Sequence, residues 1–307
     1  MKAIRLHRVG GAESLRYEEA QKPVPKDDQV LVRVHATAIT PTELLWYPTF
    51  HTPQGGPRDF PIILGHEFSG VVEAFGPACA GVEVGQSVYG LNDWFMDGAQ
   101  ADYCLTDSAS VAPKPLTLDH VHAAVIPISA LTAWQALIDR AHLAKGQRVL
   151  IHGGAGAVGS FAIQLARMQD AHVMTTVSAA NRDFVTALGA DEVIDYRTTP
   201  FETCVRDIDV VLDTVGGETR DRSWNVLKPG GQMVTIAAGS EGTRDVRAQK
   251  AFFIVQPNRV QLVEIARQID DGILRPIVGE IFPMEACRQA YEHKPLRGKH
   301  VLRVAAR

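Results

Sequence analysis

The chain has 307 residues, of which 46% are hydrophobic and 21% are charged, and its formal net charge is −4. This composition excludes a disordered or collagen-like chain, and the charge provides no global attraction for nucleic acid or anionic lipid. The four cysteines form no CxxC pair, and the amino terminus lacks the apolar segment of a secretory signal. We therefore expect a cytoplasmic protein with neither a nucleic-acid partner nor a membrane span.

Short apolar runs separated by glycine and proline fill the first third of the chain. Partly alternating, β-branched segments predict half-buried strands at 30–36, 69–76 and 86–90. Many short strands with turn signals between them indicate a twisted antiparallel barrel or sandwich.

Strands and helices alternate after about residue 119, and this pattern predicts a doubly wound parallel sheet. The predicted strands are 148–151, 172–177, 192–196, 209–215 and 232–238. The predicted helices are a long one within 123–141, after Pro127, and three more at 160–169, 181–188 and 220–227. A helix at 260–271 and a strand at 299–304 follow, and this tail can return to the first domain. The predicted fold class is α/β, a Rossmann-type sheet with a second, β-rich domain.

A glycine loop follows the predicted strand 148–151 and opens a helix. Gly154, Gly156 and Gly159 match the GxGxxG pattern, with Ala157 and Val158 inside it. The first glycine allows a tight turn, the second lets the backbone approach a pyrophosphate, and the third lets the helix approach the sheet. A turn chosen for packing alone is the alternative, but the strand–loop–helix context favours dinucleotide binding.

The end of the second strand of this domain bears on the choice of dinucleotide. An NAD site needs an acid there to accept from the ribose 2′-OH, and this chain has none before Asp183. Ser178, Asn181 and Arg182 can instead donate to a 2′-phosphate, although Arg182 can also be a solvated residue at a helix start. The residues favour NADPH.

Motifs along nearly the whole chain resemble the medium-chain dehydrogenase/reductase superfamily, in its zinc-independent NADPH:quinone oxidoreductase branch. The segments that carry the resemblance are 65–72, 84–90, 131–137, the glycine loop, 188–196, 213–217, 227–231 and 298–302. The resemblance implies a GroES-like catalytic domain, made of residues 1–119 and 256–307, and a Rossmann dinucleotide-binding domain at 120–255. It also implies a homodimer or homotetramer.

The same resemblance implies further cofactor contacts. Thr132 is expected near the nicotinamide ribose and Tyr196 near the adenosine. The remaining candidates are strand-end residues and backbone groups, namely Val215, Ala237, Ala238, Phe253 and Val255.

Zinc-dependent members of the family use a cysteine, the histidine of a Gly-His-Glu motif and a third ligand. His66 and Glu67 are present, but Thr40 stands at the cysteine position and 127–132 offers no third ligand. Because a catalytic zinc needs about three protein ligands, we expect no metal and interpret His66 and Glu67 as a hydrogen-bonded structural pair. Thr40-Pro41-Thr42-Glu43 also departs from the Asn-Pro-x-Asp that is usual in quinone reductases.

Thr40, Trp46, Tyr47 and Trp94 are the candidates for a substrate pocket. Thr40 can hydrogen-bond a carbonyl, the two tryptophans can form aromatic walls, and Tyr47 can donate a hydrogen bond or a proton. Ordinary packing of Trp46 and Tyr47, and an exposed loop position for Trp94, are the alternatives.

The sequence thus predicts hydride transfer from NADPH to a small conjugated carbonyl compound, either a quinone or an enal/enone. Two other functions stay open: a zinc-dependent alcohol dehydrogenase, and an NADPH-binding sensor or structural protein with little turnover.

Overall fold

The computed structural model of the chain describes residues 1–304. These residues form two compact units. The split unit comprises Met1–Leu131 and the chain from Gln256 onward, and the central unit comprises Thr132–Val255.

Short strands dominate the first third of the chain, and strands alternate with helices through its middle. The strands are β1 (Lys2–Leu6), β2 (Leu15–Glu19), β3 (Gln29–Ala38), β4 (Ile62–Ile63), β5 (Glu67–Phe75), β6 (Ser87–Leu91), β7 (Tyr103–Asp107), β8 (Val111–Pro113), β9 (Arg148–His152), β10 (His172–Val177), β11 (Glu192–Asp195), β12 (Ile208–Asp213), β13 (Leu227–Thr235), β14 (Val278–Pro283) and β15 (Lys299–Arg303). The helices are α1 (Tyr47–Phe50), α2 (His120–Ala124), α3 (Pro127–Trp134), α4 (Ala157–Met168), α5 (Arg182–Thr186), α6 (Gly217–Ser223), α7 (Val246–Ala251), α8 (Arg259–Asp270) and α9 (Cys287–Glu292).

The split unit is built on a mainly antiparallel sheet with the order β14-β15-β3-β5-β6-β8, and β7 also pairs with β3. The alternating valines of β3 explain its place at the centre, since Val30, Val32 and Val34 are all buried in the core. Strand β15 returns to this sheet and pairs antiparallel with β3, with Val301 opposite Ala38. The predicted β-rich domain is confirmed.

The first boundary between the units lies later than the sequence analysis placed it. Residues of α2 belong to a small apolar cluster with the end of β3 and with β15, made of Ala36, Ala38, Val121, Ala124, Val125 and Val301. Because this helix is buried against the sheet of the split unit, the predicted boundary at 119/120 is too early.

The central unit contains a parallel sheet with the order β11-β10-β9-β12-β13. The chain moves outward from β9 through β10 to β11, and then crosses to β12 on the other side of β9. The order therefore reverses between β9 and β12, where ligands bind in open α/β sheets. The predicted doubly wound sheet is confirmed.

The long helix predicted within 123–141, after Pro127, is present from Pro127 to Arg140, while Ala123 and Ala124 belong to a separate helix, α2. Helix α2 ends at Ala124, and α3 begins at Pro127, because proline has no N–H to donate and suits the first position of a helix. A π-helix then follows α3 at Gln135–Arg140. Among the described helices, none combines the length and the hydrophobicity needed to span a lipid bilayer.

A histidine pair joins α2 to the sheet of the split unit. His35 on β3 stacks on His120 at the start of α2, with ring centroids 4.4 Å apart. The Nδ1 atom of His120 lies 2.8 Å from Oγ of Ser69 on β5. Burial lowers the pKa of both rings, and that of His120 falls to about 4 with a further contribution from the His35 charge.

We expect this pair to contribute to a pH dependence of the protein's stability. The folded-state pKa of His120 lies below its ordinary value of 6.5, so on acidification the unfolded chain takes up the proton first and stability is lost. We expect the Tm to be steady above about pH 7 and to fall between about pH 6.5 and pH 4. His35→Phe keeps an aromatic stack but removes one charge, and should therefore show a smaller fall.

The measurement is thermal unfolding at several pH values, with His142→Asn, a change of an exposed histidine, as the matched control. An identical fall in Tm for His35→Phe and the unmodified protein would contradict the assignment to this pair.

Candidate active site

The carboxyl ends of the strands in the central unit lie at one edge of the sheet, because the strands are parallel. Several residues that the sequence analysis selected follow these strands and are therefore brought together at this edge. They are the glycine loop after β9, Ser178 after β10, Tyr196 after β11, Val215 after β12, and Ala237 and Ala238 after β13.

The tight turn of the glycine loop is made by Gly153, which has φ 74°. The turn predicted at Gly154 is therefore one residue too late in the chain. Gly154 is needed for another reason: a Cβ there would collide with Oγ1 of Thr175 on β10. Glycine is thus required for backbone conformation at Gly153 and for space at Gly154.

Helix α4 approaches the start of the loop closely, as predicted for the third glycine. A Cβ on Gly159 would collide with the carbonyl oxygen of Gly153. Gly156, by contrast, is exposed, and a Cβ there would meet only the Gly153 carbonyl oxygen, at 3.2 Å. The first-turn N–H groups at Ala157 and Val158 have no partner within the helix, so the loop and helix start fit an anionic pyrophosphate.

The residues after β10 differ in their exposure. Ser178 is half-buried and Arg182 is exposed at the first position of α5. Asn181 is buried, and its Nδ2 lies 3.4 Å from Ser178 Oγ. Asn181 therefore positions Ser178, while Ser178 and Arg182 are the groups open to a ligand.

Arg197, just after the end of β11, is a residue at this edge that was not predicted from the sequence. Tyr196 is exposed, and the guanidinium carbon of Arg197 lies 5.9 Å from its ring centroid. The signal was the Tyr-Arg pair directly after a strand. Asp195, aligned with Val177 of β10, accepts a 3.0 Å hydrogen bond from the Arg197 N–H.

Asp213 also escaped the sequence analysis as a site residue. It ends β12 fully buried, and its Oδ1 accepts hydrogen bonds from the N–H groups of Val215 (3.0 Å) and Gly216 (2.9 Å). Its Oδ2 accepts from Thr235 Oγ1 at the end of β13 (2.7 Å). The signal available in the sequence was an acidic residue between an apolar strand and a Gly-Gly pair. Asp213 shapes the turn that carries Val215.

Three other predicted cofactor residues are buried, namely Thr132 on α3, Phe253 and Val255. The N–H of Phe253 already donates to the Thr235 carbonyl (3.3 Å), so that group is engaged within the fold. The Phe253 ring packs under the Arg140 guanidinium at 4.6 Å.

In the split unit, the structure brings together two of the predicted pocket residues and His66. Trp94 makes an edge contact with Trp46, with ring centroids 5.0 Å apart, and its centroid also lies 5.0 Å from that of His66. Trp94 is buried, so the exposed loop position considered for it is wrong. Tyr47 is 44% exposed and stacks on His51. Thr40 is buried, and its hydroxyl has no hydrogen-bond partner within residues 1–304.

The Glu43 carboxylate holds the backbone of the Gly-His-Glu segment through hydrogen bonds. It is fully buried, and its carboxylate accepts from the N–H groups of Gly65 (2.8 Å) and His66 (3.3 Å). The His66 Nδ1 lies 3.4 Å from the same carboxylate. Burial alone would raise the pKa of Glu43, but the His66 ring and these N–H groups outweigh it and hold that pKa below its ordinary value.

Two family models match parts of the chain. The model for the alcohol dehydrogenase GroES-like domain matches residues 26–125, and the model for zinc-binding dehydrogenase matches residues 188–302.

Relatives and solved structures match almost the whole chain. A probable zinc-binding oxidoreductase, mitochondrial, from Arthroderma benhamiae is 32% identical over 95% of this chain and 94% of the relative. The chain belongs to the medium-chain dehydrogenase/reductase superfamily. The structure of the quinone oxidoreductase from Coxiella burnetii is 30% identical, with a TM-score of 0.90 and 99% of each chain covered. A mycobacterial protein in complex with NADPH is 26% identical, with a TM-score of 0.83 and 99% of each chain covered.

This chain is therefore an oxidoreductase of the medium-chain superfamily, and its donor atoms can be tested against the zinc that some members hold. Glu67 is fully buried and forms an ion pair with Lys299, while its other oxygen accepts from the Ile128 N–H (2.9 Å). His66 and Glu67 are thus not a pair, since each has its own partners. Within residues 1–304, no group of three or more His, Cys, Asp or Glu side chains is placed to hold a metal ion. The donor set does not fit a catalytic zinc.

The close approach at Gly159 leads to a prediction for cofactor binding. Gly159→Ala should push the loop away from α4 and weaken binding of a nicotinamide dinucleotide at least about tenfold, since the phosphate-facing N–H groups move with it. Isothermal titration calorimetry would measure the Kd. Gly56→Ala is the control, because a Cβ at Gly56 makes only an ordinary 3.6 Å contact. Equal affinities in the two variants would refute the proposed role of this approach.

The buried ion pair leads to a prediction for stability. Burial raises the pKa of Glu67, and the Lys299 ammonium opposes that rise. Lys299→Met leaves the carboxylate buried and unpaired, and should cost roughly 3–5 kcal/mol of unfolding free energy at neutral pH. The cost should shrink on acidification, because a protonated Glu67 no longer needs the ammonium.

Urea unfolding would measure this cost, and the double change Glu67→Gln with Lys299→Met should recover part of it. Lys145→Met, which breaks an exposed pair with Asp170, should cost less than about 1 kcal/mol. A similarly small cost for Lys299→Met would show that the buried pair does not stabilise the split unit.

Proposed function

We propose that this oxidoreductase uses NADPH to reduce a quinone or another conjugated carbonyl compound (an enal or enone). The observation that carries the choice of cofactor is the end of β10. Ser178 and Arg182 follow Val177 at the ligand edge, with no acid before Asp183. A hydroxyl and a guanidinium suit a ribose 2′-phosphate, which a carboxylate would repel.

The glycine loop and the α4 start would hold the pyrophosphate, and the predicted contacts at Tyr196, Val215, Ala237 and Ala238 would lie along the rest of the cofactor. When bound, the nicotinamide supplies a hydride from its C4 atom. The Thr40 hydroxyl is the proposed hydrogen-bond donor to the acceptor carbonyl. Trp46 and Trp94 are the proposed walls, and Tyr47 or solvent would supply the proton.

The acceptor class follows from the donor set around His66. Since that set does not fit a zinc ion, we favour acceptors that need no activation by a metal. Quinones and enones are already electrophilic and spread the incoming charge by conjugation. The similarity to the quinone oxidoreductase from Coxiella burnetii supports this choice.

A homodimeric or homotetrameric state and a cytoplasmic location stay predictions. The name of the Arthroderma benhamiae relative includes a mitochondrial location, so the location of this protein needs its own test.

Reduced-cofactor consumption by chelator-treated protein tests the proposal, with NADPH and NADH offered in parallel against an ortho-quinone and an enone. We expect saturable consumption that prefers NADPH. A preference for NADH would overturn the interpretation of the β10 end and direct attention to Asp195. Alcohol oxidation restored by stoichiometric zinc would favour a zinc-dependent dehydrogenase, and tight binding without turnover would favour a sensor.

Arg182→Ala gives the sharper test of the 2′-phosphate site. Loss of one charge-assisted contact should raise the KM for NADPH about tenfold and leave the KM for NADH unchanged. Arg167→Ala is the matched control. Arg167 lies in the last turn of α4, at the end away from the glycine loop, so this change should alter neither KM. Equal effects of Arg182→Ala on the two cofactors would contradict the assignment.

A further inference from the structure

His152 is a buried polar residue in the central unit with no part in the proposed chemistry. It is the last residue of β9, it is fully buried, and it directly precedes Gly153. Both ring nitrogens meet hydroxyl groups from other elements. Nδ1 lies 3.0 Å from Thr176 Oγ1 on β10, and Nε2 lies 2.9 Å from Ser223 Oγ at the end of α6. The ring also packs against Phe201, with centroids 4.7 Å apart.

The hydrogen-bond network assigns the direction of each contact. Ser223 Oγ donates to the Thr219 carbonyl at 2.6 Å, so it accepts from Nε2–H of His152. Burial lowers the pKa of His152, which keeps the ring neutral with one donor nitrogen. Nδ1 is then an acceptor, and the Thr176 hydroxyl donates to it.

The same threonine holds the start of the glycine loop. The N–H of Gly153 lies 3.1 Å from the Thr176 carbonyl oxygen and 3.4 Å from Thr176 Oγ1. The Gly153 carbonyl in turn accepts from the Gly156 N–H (3.0 Å) and is the atom against which Gly159 packs. An unbroken series of contacts therefore runs from α6 through the His152 ring to the loop.

The main chain of His152 is fixed as well. Its carbonyl oxygen accepts from Thr214 Oγ1 (2.8 Å), in the turn that follows β12. A Cβ on Gly153 would lie 2.6 Å from that same hydroxyl oxygen, so Gly153 has little freedom to shift toward β12.

We propose that His152 is a positioning residue for the dinucleotide. Acting through Thr176, it fixes Gly153 and thereby the loop whose N–H groups face the pyrophosphate. This inference rests on the proposed function, since it assumes that the loop binds NADPH. An apolar ring would fill the same space beside Phe201, but it would leave the hydroxyls of Thr176 and Ser223 without this partner and the loop without its directional support.

The Kd of NADPH, measured by isothermal titration calorimetry well below the Tm, tests the inference. Thr176→Val removes only the hydroxyl that links the ring to Gly153, and should raise the Kd about tenfold. His152→Phe should raise it at least as much. His152→Asn keeps an acceptor near the Nδ1 position and should recover part of the affinity. The kcat at saturating NADPH and the KM for the acceptor should change less than about twofold, because the acceptor contacts are untouched.

Thr37→Val is the matched control, since it removes from the split unit a buried hydroxyl that donates a 2.8 Å hydrogen bond to the Glu67 carbonyl. It should lower the Tm without changing the Kd, which separates a loss of stability from a loss of positioning. If His152→Phe does not fold, Thr176→Val and His152→Asn carry the test. An unmodified protein that binds NADPH, with unchanged Kd values in the folded Thr176 and His152 variants, would overturn the inference. An unmodified protein that binds neither NADPH nor NADH would instead overturn the proposed function.

Discussion

Parallel pairing of the strands in the central unit is the constraint on which the candidate site depends. It places the residues that follow each strand at one edge, although they come from segments far apart in the chain. The loops at this edge are then shaped by buried polar groups, with His152 beneath the glycine loop and Asp213 beneath the turn after β12. A dinucleotide site thus needs two layers, the backbone groups that face the ligand and the side chains that hold that backbone in place.

The sequence predicts the first of these layers but not the second. The glycine spacing and the apolar strand before it were enough to predict the loop, because both signals are local. The partners of His152 were not visible, since Ser223 lies 71 residues away and only the folded sheet brings it near. The same limit explains the error at Gly154: its glycine is required by a neighbour on β10, and sequence spacing says nothing about that neighbour.

In the split unit, adjacent residues of one motif take different roles for a comparable reason. His66 and Glu67 are neighbours in the chain, but His66 contacts Glu43 and Glu67 pairs with Lys299. The two residues form one motif in the sequence, which does not show that their side chains face different partners. Thr40, Trp46 and Trp94 were predicted as pocket residues from the sequence, but the burial of Trp94 was not. That burial depends on contacts with Trp46 and His66, which lie in separate segments of the chain.

The return of β15 to β3 has a consequence for biosynthesis. The ribosome makes the whole central unit before it makes Lys299–Arg303, so the central unit can fold while the end of β3, at Ala36–Ala38, still lacks its neighbour on one side. During that interval the Glu67 carboxylate lacks the Lys299 ammonium, and the end of β3 at Ala36–Ala38 offers unpaired N–H and C=O groups to any strand nearby. The nascent split unit is then open to mispairing, and the arrival of β15 closes both vulnerabilities in one step.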